Sequence, residues 1–235
     1  MQTNPTGLSH KRVLGVAIPI VLANATIPIL GAVDTAVVGQ LGLAVPIGAV
    51  GIGAIIITAI YWLFGFLRMG TTGLTAQAIG SGDKPETSAL LVRGIIIGLV
   101  AGLVLIIAQV PIFLGALQLS PASMEVESLA QKYLQIRVYS APAAIALFGI
   151  TGWLIAKEKT REVLLLRLAL NGINITLDLV FVLKLGWGVE GVAIATLIAE
   201  WSGLIFGLWL AREGFNNVYW KNWLQIFDRV RLIQM

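Results

Sequence analysis

Three acidic residues sit in stretches of sequence that are otherwise apolar: Asp34, Asp178 and Glu200. An ionised carboxylate at the centre of a bilayer costs at least ~2.5–3.5 kcal/mol, so each needs a partner, a polar cavity or a function. Burial disfavours the charged form of any carboxyl group. A carboxyl in an apolar helix is therefore suited to loading and releasing a proton, or to exchanging one for a cation. Asn171, Asn174 and Asp178 are spaced i, i+3 and i+7 and share one helix face. Asn174 adds a carbonyl oxygen and two N–H donors, suited to a proton relay or to a small hard cation. The alternative for the asparagines is interhelical hydrogen bonding, worth about 0.6 kcal/mol per contact. Thr196 and Glu200 lie one turn apart, so Thr196 could lend a hydroxyl to a shared polar cluster, whereas Glu200 could instead pair with a base or face water. Asp34 follows Pro28 by a turn and a half, with Pro19 further upstream. Each proline frees a carbonyl and permits a kink, so this helix reads as a moving part; the alternative places Asp34 at the outer interface.

The elements that carry these residues follow from composition. The chain has 235 residues, 57% hydrophobic and only 12% charged, with a mean hydropathy of +0.90. Soluble domains carry about 25% charged residues to cover their surface, so the class is integral membrane protein. Residues 13–33, 35–67, 94–124 and 138–156 contain no charge at all. A hydrocarbon core about 30 Å thick needs about 20 helical residues. Two further apolar stretches are interrupted by Arg167, Asp178 and Glu200. Six spans are expected, over about 13–39, 46–79, 88–115, 128–156, 161–184 and 189–212, forming an all-α six-helix lobe over 1–212. Helices are preferred to a barrel because the runs are continuously apolar rather than alternating. The first run is too long for a signal-peptide core and has no small-residue cleavage site, so no cleaved leader is expected.

Basic residues in short loops orient the bundle. Lys11, Arg12, Lys84, Arg93, Lys157, Lys159, Arg161, Arg167, Arg212, Lys221, Arg229 and Arg231 gather on one side, and Lys132, Arg137 and Lys184 on the other. Both termini are thus expected in the cytoplasm. The net charge of +4 is explained by these loops and calls for no nucleic-acid partner. Residues 80–85 read as a turn with Pro85 opening the next helix. In 213–235, Phe215, Tyr219, Trp223 and Phe227 recur every four residues opposite Lys221, Arg229 and Arg231. That pattern fits an amphipathic cytoplasmic tail in the headgroup region, or a linker packed on the bundle. Arg68 is expected to snorkel or to pair with an acid. The glycines, Gly48, Gly51 and Gly53 among them, read as close static packing. With no cysteine, one histidine (His10) outside the first span and no Gly-x-Ser-x-Gly elbow, an intramembrane enzyme is disfavoured and no cofactor is expected.

Residues 24–28 (NATIP) and 31–39 (GAVDTAVVG) resemble the first helix of the multidrug and toxic compound extrusion (MATE) family, and more narrowly its DNA-damage-inducible protein F branch. Residues 66–80 (FLRMGTTGLTAQAIG) resemble that branch's second helix, 171–178 (NGINITLD) its fifth and 191–196 (GVAIAT) the start of its sixth. The resemblance implies a proton- or sodium-driven antiporter of the bacterial inner (plasma) membrane that expels small organic, often cationic, compounds. Asp34, Asn174, Asp178 and Thr196 would then line the H+ or Na+ site, with Asn171 and Glu200 as additional candidates. The first helix would bend at Pro19 when that site changes charge.

Family members have twelve spans in two lobes, so this chain corresponds to the amino-terminal lobe. It is expected to be a fragment or truncated product, or to work with a second six-helix lobe or another copy of itself. Export of a lipid-linked or lipophilic substrate, and a non-transporting half-transporter with an assembly role, are the competing readings.

Overall fold

The computed structural model describes residues 10–120, 122–216 and 226, with the side chains of 11, 12 and 27–30 excepted. Nine α-helices run through the described residues: α1 (His10–Gly39), α2 (Ala44–Trp62), α3 (Gly65–Gly80), α4 (Lys84–Ile107), α5 (Gln109–Gln118), α6 (Met124–Arg137), α7 (Ala141–Ala156), α8 (Thr160–Asp178) and α9 (Gly188–Leu210). They combine into six segments long and apolar enough to cross a membrane: Val13–Gly39, Ala44–Gly80, Lys84–Ile107, Met124–Ala156, Thr160–Lys184 and Gly188–Leu210. The architecture is an all-α six-helix membrane bundle.

The breaks between helices have local causes. Proline cannot donate to the carbonyl four residues earlier. Accordingly α4 stops at Ile107, four residues before Pro111, so the stretch expected as one span over 88–115 is divided at Ala108. Pro142 likewise withdraws the bond to Val138, and a single tight turn over Val138–Ser140 separates α6 from α7. Gly65 opens α3 after Leu63 and Phe64 make short i→i+3 bonds to Ile60 and Tyr61. Asp83 caps α4 by accepting from Glu86 N at 2.9 Å, with Pro85 in the first turn. Ser123 caps α6 through Val126 N.

The centre of the bundle is α7, which is buried along most of its length. Close approach to it is made possible by glycine. A Cβ on Gly98 would lie 2.5 Å from Ala146 Cα, and one on Gly102 2.2 Å from Pro142 N. Gly94 and Gly149 face each other in the same seam, and Gly152 lies against the Arg68 carbonyl. Of Gly48, Gly51 and Gly53, only Gly53 is tightly packed, against the Tyr133 ring; Gly51 has open space. Glycine in these helices is therefore a packing device at particular positions rather than a general one.

Charged residues cluster where α3, α7 and α9 end together. Lys159 Nζ donates to Glu213 Oε2 at 2.6 Å, and Lys157 lies 3.2 Å from Glu213 Oε1. Partial burial favours the neutral form of Glu213, but the two lysines outweigh it and hold its carboxyl below the usual range. Arg93, counted from the sequence among loop bases, is instead buried in α4, where it pairs with Glu86 at 3.1 Å and donates through Nε to the carbonyl of the buried Ile226 at 3.0 Å. Most of the expected aromatic tail lies outside the described residues.

Gly98→Ala should destabilise the bundle by about 1–3 kcal/mol through overpacking. Gly51→Ala should stay within about 0.5 kcal/mol. Unfolding in mixed micelles checks both, and equal effects would contradict the assignment of the tight seam.

Candidate functional site

Asp34, on α1, and Asp178, the last residue of α8, are brought together near the ends of their helices that lie away from the Lys157–Glu213 cluster. Their carboxyl groups are within hydrogen-bonding reach of one another. Asn174, one turn before Asp178, is fully buried between α8, α1 and α9. The nitrogen and oxygen of an amide are distinguished only by their surroundings. With its nitrogen turned towards the acids, Asn174 donates to Asp178 Oδ2 at 3.1 Å and to Asp34 Oδ1 at 3.1 Å, and its oxygen accepts from Thr196 Oγ1 at 3.0 Å. Turned over, the nitrogen donates to Thr196 Oγ1 at the same 3.0 Å and the oxygen joins the carboxylates. Thr196 is also within 3.0 Å of the Val192 carbonyl one turn back, so its single proton has a second acceptor. Asp178 Oδ1 is buried with no hydrogen-bond partner.

Relative exposures of 7% for Asp34, 0% for Asn174 and Asp178 and 4% for Thr196 exclude both lipid and bulk water from the cluster. The interface position considered for Asp34 is thereby corrected: the residue faces inward. Directly after Asp178 the chain makes a π-helical turn, Leu179–Lys184. Such turns are uncommon and often mark functional sites.

Other candidates fall outside this cluster. Asn171 donates to the Thr26 carbonyl at 3.2 Å and ties α8 to α1, so it acts as the interhelical bond that was its alternative. Pro19 is buried in α1, which continues through it; the Gly15 carbonyl it frees lies 3.5 Å from Thr160 Oγ1. The side chain of Pro28 lies outside the described residues.

Glu200 departs from the shared cluster with Thr196. It faces Arg137, whose Nη1 and Nη2 donate to Oε2 and Oε1 at 3.1 and 3.3 Å. Arg137 was expected to be an outer loop base, and this expectation is corrected. It ends α6 inside the membrane-crossing segment at 6% exposure. Ser140 Oγ lies 2.6 Å from its Nη1, and the hydroxyls of Tyr61 and Ser140 both donate to its carbonyl, at 3.1 and 2.7 Å. The field of Arg137 reaches both Asp34 and Asp178. The signal for it was present: an arginine followed by Ser140 and Pro142 in a run with no other charge up to Ala156.

The side chains present suit a small hard cation, with up to four oxygen donors from Asp34, Asp178, Asn174 and Thr196 and an unsatisfied oxygen on Asp178. No group of three or more His, Cys, Asp or Glu positioned for a metal occurs among the described residues.

The MatE family model matches residues 19–180. The chain belongs to the MatE family. It is 38% identical to DNA damage-inducible protein F of Escherichia coli K12 over 205 residues, which covers 87% of this chain and 45% of that protein. It is 26% identical to a probable multidrug resistance protein NorM of Shewanella oneidensis, covering 85% and 44%. A crystal structure of MATE in the straight conformation superposes with a TM-score of 0.82 at 25% identity, covering 94% of this chain and 49% of that one. The chain spans about half the length of these relatives. It is an integral membrane protein of a transporter family, and its bundle matches one lobe of the MATE fold.

Breaking the buried pair in one place, by Arg137→Ala, should destabilise the bundle by about 3–5 kcal/mol, whereas Arg137→Met with Glu200→Leu should recover most of the loss. A double variant no more stable than the single one would show that the pair is not the reason for the arginine's burial.

Proposed function

We propose that this chain is the amino-terminal lobe of an ion-coupled efflux antiporter that exports small organic, often cationic, compounds across the bacterial inner membrane. The observation that carries the reading is the buried Asp34–Asn174–Asp178–Thr196 cluster. Two adjacent carboxylates shut away from water repel each other. The repulsion is relieved by a proton held between them or by a small cation among their oxygens. H+ and Na+ are thus alternative coupling ions for one site.

The two settings of the Asn174 amide fit this alternation. With its nitrogen towards the acids, the amide satisfies two carboxyl oxygens and no cation is needed. With its oxygen towards them, three side chains offer oxygen to a cation while Thr196 accepts the freed N–H. The site would therefore change occupancy through an amide turn and small movements of α1 against α8. Because Asp34 is on α1 and the other three residues are on α8 and α9, occupancy is linked to how α1 packs. A substrate favouring a different α1 packing would be exchanged for the ion, by reciprocity of the two binding equilibria.

Arg137 and Glu200 would serve as a fixed, internally neutral pair that stabilises negative charge on the cluster when the ion leaves. The basic loops would orient both termini to the cytoplasm; removing Arg93, Lys132, Arg137 and Arg167, which lie more than a turn inside the membrane-crossing segments, from the loop tally leaves the excess on the same side. Transport requires a pathway between two lobes, supplied by a second six-helix lobe or by another copy of this chain.

In vesicles containing this lobe with its complementary lobe, ion-driven efflux of a cationic dye should fall at least tenfold on Asp178→Asn, with membrane insertion unchanged. Undiminished ion-driven efflux would remove Asp178 from the mechanism.

A further inference from the structure

The opposite half of the lobe holds a second polar feature that the ion site does not use. A cavity of about 460 Å³ opens between α1, α3, α7 and α8, and its lining includes Asn24, Arg68, Thr72, Thr151 and Arg167. At 1.5 Å per residue, Arg68 lies about 18 Å along the axis from the Gly80 end of α3, and Arg167 about 10 Å from the Thr160 start of α8. Both are well inside membrane-crossing segments. A cation at such depth persists only if it faces a partner or a polar cavity.

Neither arginine has an acidic partner among the described residues. The acid whose field reaches Arg167 is Glu200, and both of its oxygens are engaged by Arg137. The two guanidinium groups also act on each other, which is repulsive. The pairing with an acid expected of Arg68 is thus not found among the described residues. On the α7 wall of the same cavity, Thr151 is buried and its Oγ1 has no hydrogen-bond partner. Two unneutralised forks of N–H donors and an idle hydroxyl thus converge on one space.

Guanidinium groups match phosphate oxygens in geometry as well as charge. The volume exceeds what one phosphate fills. The lining also carries apolar side chains, Ile20 of α1, Met69 of α3 and Ile155 of α7, of which Met69 is exposed. We propose that this cavity binds the phosphate headgroup of an anionic amphiphile, with Arg68 and Arg167 on its oxygens, Thr151 donating to it, and the apolar chains lying along those side chains. The lobe would then be polarised, with an acid site for a cation in one half and a basic site for a phosphate in the other.

The test uses the complete chain in a neutral detergent and reads its thermal midpoint. Phosphatidylglycerol at about 100-fold over its Kd should raise the midpoint by roughly 5–10 °C, while net-neutral phosphatidylcholine should not. Inorganic phosphate forms the second arm: a matching rise would assign the site to soluble phosphate, and no rise to the lipid headgroup. Arg68→Gln with Arg167→Gln should abolish the response and, without ligand, raise the midpoint by removing the repulsion. Should that variant fail to fold, Arg167→Lys carries the test. It keeps the charge but loses the fork, and should weaken phosphatidylglycerol binding at least threefold. An equal rise with both lipids, no rise with any probe, or a response unchanged in these variants would overturn the proposal.

Discussion

Hydrocarbon offers a carboxyl group neither a hydrogen bond nor a counter-charge, and the bundle is organised around that deficit. Asp34 and Asp178 are tolerable because α1, α8 and α9 close around them, bringing the Asn174 amide within 3.1 Å of both carboxyls and Thr196 within 3.0 Å of that amide. The cost of the buried acids is met by placement rather than by solvent. Three helices must pack in one register for this to hold, which joins the chemistry of the site to the mechanics of the lobe. An apolar replacement for any of the four would pack at least as well. Their presence is therefore explained by a charge that changes, on the reading proposed here.

Interruptions of helical bonding make such placement possible. The turn at Val138–Ser140, imposed by Pro142, gathers the Tyr61 and Ser140 hydroxyls on the Arg137 carbonyl, and the guanidinium of the same residue faces Glu200. The π-helical turn after Asp178 lets the chain leave the acid pair without continuing a regular ladder through it. The glycine seam between α4 and α7 does the reverse, locking two helices at near backbone contact. Rigid and adjustable contacts are thus segregated, with α7 as a fixed core and the acid site at the junction of α1 with α8 and α9.

Composition and charge-free runs made the six-helix membrane architecture legible, because few other folds tolerate so little charge. The i, i+3, i+7 spacing placed Asn174 and Asp178 on one face, and the family resemblance joined to them Asp34 and Thr196, each already conspicuous on its own helix. What spacing along one helix cannot show is which residues of different helices meet. Glu200 shares a face with Thr196, yet a fork of Arg137 from α6 draws it away, and Asn171 shares a face with Asn174, yet a carbonyl of α1 claims it. Arg137 was read as a loop base because bases usually mark loops. Only the fold shows that its partner lies across the bundle. The convergence of Arg68 and Arg167 on one cavity was invisible for the same reason.

The central claim is that Asp34 and Asp178 work as one unit through Asn174. A double-mutant cycle on ion-driven efflux, comparing Asp34→Asn, Asp178→Asn and the two together in the two-lobed transporter, tests it most directly. Residues that act as a unit are strongly non-additive, so each single variant should lose about as much rate as the double. Losses that multiply, as for independent sites, would contradict the account.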